Sequence, residues 1–116
     1  MLSMKKKENP LHLACYCGQT DVAKVLIQAG VDVNNVSGDE LGQTPLLDAA
    51  VEGKVDIIKI LLENGADVNA TNNYGDGVIK SCILNGFEAV EMLVQAGADI
   101  NHFDENNRTA LNLMAV

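Results

Sequence analysis

The sequence predicts an all-α fold, a solenoid of stacked helix–turn–helix units with projecting hairpin loops, and three observations carry that prediction. The chain repeats itself: Gly18, Gly53 and Gly86 align, then Gly30, Gly65 and Gly97, then Asn34, Asn69 and Asn101, at spacings from 32 to 35 residues. Each period contains two short apolar runs with helical spacing, set between turn residues. Aromatics make up only 3% of a chain that is 47% hydrophobic and has no Trp, so Leu, Ile, Val and Ala must fill the core, which suits thin helical layers packed closely. A period of this length with two helices inside it marks a stack in which each unit touches only its neighbours. One domain over residues 1–116 is expected, with units at about 5–37, 38–70 and 71–102 and a partial unit at 103–116.

The first unit opens at Asn9-Pro10-Leu11-His12-Leu13-Ala14-Cys15, with Asn9 in the cap position, and its first helix should run to about Cys17. Thr20 is expected to cap the second helix, which carries Val22, Val25 and Leu26 on one face and ends at Ala29-Gly30. The loop around Ser37-Gly38 is two residues longer than the corresponding connection after Asn69. The second unit is the most regular. Thr44 can cap the free N–H groups of a helix in which Pro45, at the first position, sacrifices no hydrogen bond. Gly53 ends that helix; Val55, Ile58, Leu61 and Leu62 share one face of the next, and Gly65 suits the left-handed residue that closes it. In the third unit Gly77-Val78 replaces Thr-Pro, removing both the cap oxygen and the preset backbone angle, so this helix pair should be the first to open. The fourth, from Asp104 to Val116, contains a single helix.

These residues resemble the ankyrin repeat family, whose unit reads Asp-x-x-Gly-x-Thr-Pro-Leu-His-x-Ala-Ala, two helices, then Gly-Ala-Asp-Val-Asn. Asp39 to Ala50 is similar to the first part except that Leu47 stands in place of His, Gly65-Ala66-Asp67-Val68-Asn69 matches the second, and Asn9-Pro10-Leu11-His12 keeps the His. The resemblance covers residues from about 8 to 116, with departures in the third unit and at the end. It implies an L-shaped stack, paired helices in one arm and hairpin fingers in the other, and a binding module without chemistry. Family members hold partners in the concave groove, between the finger tips and the outward side of each first helix. Those positions are Tyr16; Glu40, Leu41, Gln43, Val51 and Glu52; Asn73, Tyr74, Asp76 and Leu84; then Glu105, Asn106 and Arg108. The tyrosines and Leu41 would supply apolar anchors and Arg108 a forked donor.

The charge excludes some partners. Sixteen acids against eight Lys and Arg give a net charge of −8, which repels nucleic-acid backbones and anionic membranes and suits either plain solubility or a partner with a basic surface. No apolar run approaches the roughly 20 residues that span a bilayer. A cytoplasmic location with reduced thiols is expected, because Cys15, Cys17 and Cys82 are odd in number and follow no framework spacing. The sequons at Asn35, Asn69 and Asn107 are expected to stay unused.

No catalytic or metal-binding set emerges, and no cofactor is expected. His12 with Cys15 or Cys17 suggests a thiol–imidazole pair, but the resemblance makes His12 a structural histidine tied into backbone hydrogen bonds and places Cys15 and Cys82 where the family has small buried Ala. Cys17, before a turn, is the thiol expected to react. His102 has no second ligand nearby, and Asp104 to Arg108 lacks the Gly and closing Glu of a calcium loop. Gly75 and Gly77 lack the strand and the Lys of a phosphate loop. Asp32, Asp67 and Asp99 read as turn formers that bond their own backbone. The expected function is non-catalytic protein–protein interaction by a monomer. The alternative is a structural or assembly piece, a fragment of a longer array or a chain that self-associates through Leu111, Leu113 and Met114 of its open C-terminal helix.

Overall fold

The computed structural model describes residues 10–38, 40–83 and 87–98. Within them lie six helices: α1 (Pro10–Cys17), α2 (Thr20–Gln28), α3 (Pro45–Glu52), α4 (Val55–Glu63), α5 (Val78–Cys82) and α6 (Phe87–Gln95). No strand occurs among the described residues. They pair within units, α1 with α2, α3 with α4 and α5 with α6, and stack between units in two rows, α1 on α3 on α5 and α2 on α4 on α6. The chain is an all-α solenoid.

The second unit forms as its residues dictate. Thr44 is extended and its side-chain oxygen accepts from the Leu47 N–H at 3.2 Å, while Pro45 begins the helix. Gly53 closes it with φ 66° and ψ 29°, the left-handed region open to a residue without Cβ. The signature is scaffold: Pro45, Leu46, Leu47, Ala49 and Ala50 are all buried. In α4, Ile58 and Leu61 are buried as the spacing predicts, with Val55 and Leu62 packed at the edge, and Ile57 joins them in the core.

Two expectations about α2 need correction. Thr20 is its first helical residue and not its cap; Gln19 holds the cap position and its side chain makes no capping bond. Nor do Val22 and Val25 belong to the core face, being 46% and 63% exposed. The core side of α2 is Ala23, Leu26 and Ile27. The cause is position in the stack. α4 lies between α2 and α6, whereas among the described helices α2 has the α4 row on one side only.

The third unit departs as expected. α5 spans five residues, and its cap position is Gly77, which offers no side-chain oxygen. Local bonds are made that do not replace the cap: the Lys80 ammonium bonds Asp76 at 2.7 Å, and the Ser81 hydroxyl donates to the Gly77 carbonyl at 3.0 Å, so neither accepts from a free N–H of the helix. Cys15 and Cys82 fill buried places, and burial pushes their thiols up to about 12, with the Asp48 charge adding to the effect at Cys15, and about 11 respectively. Neither is a nucleophile at neutral pH. Cys17 is exposed. No helix among the described residues is long and apolar enough to cross a membrane. The expected cap Asn9, the expected turn former Asp99, His102 and the whole fourth unit lie outside the described residues, as does the open C-terminal helix.

Candidate interaction surface

The outward side of each first helix is one helical stripe. On α1 it is Leu13, Tyr16 and Cys17, all exposed; on α3 it is Asp48, Val51 and Glu52, half-buried or exposed. Spacings of three and four residues put each trio on one face, and the packing of α1 on α3 sets the stripes side by side. The finger between α2 and α3 turns back across them. It is pinned at its neck, where the Ser37 N–H donates to the Gln43 carbonyl at 2.7 Å and the Gln43 N–H to the Ser37 hydroxyl at 2.9 Å. Stripe and finger enclose a cleft of about 230 Å³ lined by His12, Leu13, Tyr16, Ser37, Leu41, Gln43 and Asp48.

A chain of polar contacts underlies the cleft. His12 Nε2 lies 2.7 Å from the Asn35 carbonyl and Nδ1 lies 2.9 Å from Asp48 Oδ2. Both neighbours are acceptors, so an imidazolium donating from both nitrogens satisfies the site. Burial by itself lowers the pKa of His12, but the hydrogen bond and charge of Asp48, with the Asn35 carbonyl, outweigh it and raise the pKa above the ordinary 6.5. Gln43 Nε2 donates to Asp48 Oδ1 at 3.3 Å, and Gln43 Oε1 accepts from Asn72 Nδ2 at 2.9 Å. Asn72 Oδ1 in turn accepts from the N–H groups of Tyr74 and Asp76 at 2.9 and 3.1 Å. The network runs from α1 through α3 to the tip of the next finger.

Neighbouring fingers are also joined directly. The Asn73 N–H donates to the Leu41 carbonyl at 2.8 Å, and Asn73 Nδ2 donates to the Glu40 carbonyl at 3.1 Å. Gly42 sits beneath that contact with φ 63°, and a Cβ there would lie 2.6 Å from Asn73 Oδ1. Gly42→Ala is therefore expected to cost about 1–3 kcal/mol through backbone strain and displacement of Asn73, read from urea unfolding. An unchanged midpoint would show that the fingers are not held in this way. At the finger bases, Asp32 and Asp67 each accept from the N–H two residues on, Asn34 and Asn69, at 2.9 Å, as the turn reading requires. Asn34 does more than the sequence suggested: its Oδ1 accepts from the Asp67 N–H at 2.7 Å and its Nδ2 donates to the Gly65 carbonyl at 3.1 Å, tying one unit to the next.

These contacts sort the residues expected to meet a partner. Tyr16, Leu41, Val51 and Tyr74 are 58%, 45%, 40% and 42% exposed, and Glu40 is exposed. Glu52 is half-buried on the α3 stripe. Asn73 is exposed with its amide engaged between fingers, and half-buried Asp76 is paired with Lys80. Gln43 is only 6% exposed, with its amide bonded to Asp48 and Asn72, and it lines the cleft as part of the network that holds it. Leu84, Glu105, Asn106 and Arg108 lie outside the described residues. Asp48 was missed. Its signal is that it stands at the unit position held by Leu13 and Ser81, where the fold demands no particular side chain. His12 occupies the position held by Leu47 and Lys80, and in this unit its partner is an acid on the neighbouring helix.

Among the described residues, no three His, Cys, Asp or Glu side chains gather as metal ligands. Helix pairs stacked in register, with polar fingers bonded one to the next, define a helical-repeat scaffold. A sequence profile of the family described as Ankyrin repeats (3 copies) matches residues 2–72, more than half of the chain. The chain belongs to the ankyrin repeat family, whose repeats are generally protein–protein interaction modules. No curated protein matches it.

Proposed function

We propose that the chain is a non-catalytic protein-binding module that takes a segment of its partner in the groove between the first-helix stripes and the finger tips. The observation that carries this reading is that half-exposed Tyr16 and Leu41 line a cleft, with half-exposed Val51 on the α3 stripe and Tyr74 on the next finger, and that the fingers are already hydrogen-bonded in place. A groove ordered before binding loses little entropy on association, so modest contacts suffice for useful affinity.

The partner segment is basic. Glu40, Asp48, Glu52 and Asp76 occupy the stripe and fingers, and the two basic side chains among them, His12 and Lys80, are already bonded to Asp48 and Asp76. The surplus is negative, as it is for the whole chain at −8. Selection from a displayed random-peptide library tests the reading. Basic peptides with an apolar anchor should be enriched, and Tyr74→Ala or Leu41→Ala should weaken them about tenfold or more, as truncation of an interface anchor does, without lowering the melting temperature. Enrichment of acidic peptides, or binding that ignores both substitutions, would contradict it.

A further inference from the structure

We infer that the cleft beside Asp48 is a socket for one arginine side chain of the partner, a refinement that rests on the groove reading above. The walls are Leu13 and Tyr16 from α1 and Leu41 from the finger, apolar surface suited to the three-carbon stem of a long side chain. The floor is polar and charged. Asp48 Oδ2 accepts from His12 and Oδ1 from Gln43, the second at a long 3.3 Å, while a carboxylate offers about four acceptor sites in all. Its side chain is 16% exposed, so a donor arriving through the cleft can reach it.

Those features discriminate between occupants. An aliphatic side chain would cover the carboxylate without donating to its remaining lone pairs, so the solvation that water gives them would be lost without replacement. An acid would be repelled. His12 offsets the Asp48 charge from the buried side, and Glu52, one helical turn further along α3, is bonded to no cation among the described residues. The outer end of the cleft therefore stays negative. A lysine would satisfy charge alone. A guanidinium fits better, because it is weakly hydrated, forks onto carboxylates and stacks on aromatic faces, and the Tyr16 ring stands at the wall with 58% of its surface exposed.

The test is an NMR titration of the full isotope-labelled chain with N-acetyl-arginine methylamide, against the citrulline and leucine counterparts. The arginine probe should shift the backbone resonances of Leu13, Tyr16 and Leu41 saturably, and citrulline, which keeps the shape and loses the charge, should bind about tenfold more weakly. Asp48→Asn should remove that preference. Because Asp48 also holds His12, two exposed positions serve as the independent check: Tyr16→Ala should weaken the probe several-fold, and Leu13→Lys, which places a resident cation at the cleft, should abolish its binding, both with unchanged melting temperature. Equal binding of leucine or citrulline, or no saturable shift, overturns the socket. Library-selected peptides that bind the groove without an arginine at a common position also overturn it and leave the groove reading standing. Failure to select any peptide counts against that reading instead, and the probe titration still decides the socket.

Discussion

Asp48→Asn should destabilise the chain by about 1.5–3 kcal/mol at pH 6, the worth of a hydrogen bond to a charged group, and by much less at pH 9. The sign follows from His12. Its pKa in the folded chain is raised above 6.5, so folding favours the protonated ring. The resulting stabilisation is fully present below pH 6.5, the unfolded value, and is lost as pH rises through the higher folded value. Above it a neutral imidazole has one N–H for two acceptors, the Asn35 carbonyl and the Asp48 carboxylate. The variant removes the charge that holds the proton, so its own stability should vary little across this range. Urea unfolding of both proteins at several pH values between 6 and 9 supplies the comparison. A gap that stays constant with pH would mean that His12 is neutral in the folded chain.

Leu61→Ala should cost about 2–5 kcal/mol, whereas Val25→Ala should stay within about 0.5 kcal/mol. Leu61 has no exposed surface and sits on α4, the helix in the middle of its row, which packs on α2 and on α6. Truncation leaves a cavity that neither neighbour can fill without moving off its other contacts. Small domains are stable by only about 5–15 kcal/mol, so this loss should move the unfolding midpoint strongly. Val25, 63% exposed on α2, loses little packing when trimmed. The reverse ranking would place the core on the other side of α2.

Much of this architecture was legible in the chain. Local chemistry determines it: Thr44 and Pro45 begin a helix, Gly53 ends one, and Asp32 and Asp67 close turns on their own backbone, wherever in the stack they stand. The repeat period then carried each feature from unit to unit. What stayed hidden depends on neighbours. Val22 occupies the unit position of Ile57, yet the first is exposed and the second buried, since cover from an adjoining helix is not written into either helix. The candidate surface divides in the same way. Tyr16, Leu41 and Tyr74 were expected from the family resemblance laid onto the repeat register, and each is exposed, while the bonds from His12 through Asp48 and Gln43 to Asn72 span three units, and no local pattern pairs them. The register puts Gln43 at the surface and does not show that its amide also holds the cleft in place.

If a preformed groove on one side of the stack receives the partner, a bound peptide must perturb that side alone. Mapping the backbone resonance shifts caused by a library-selected basic peptide locates the binding side. Shifts are expected at Leu13, Tyr16, Leu41, Asp48, Val51 and Tyr74, with α2 and α4 quiet. Shifts gathered instead around Val22 and Val25 would contradict it, because they would put the binding side on the opposite row of helices.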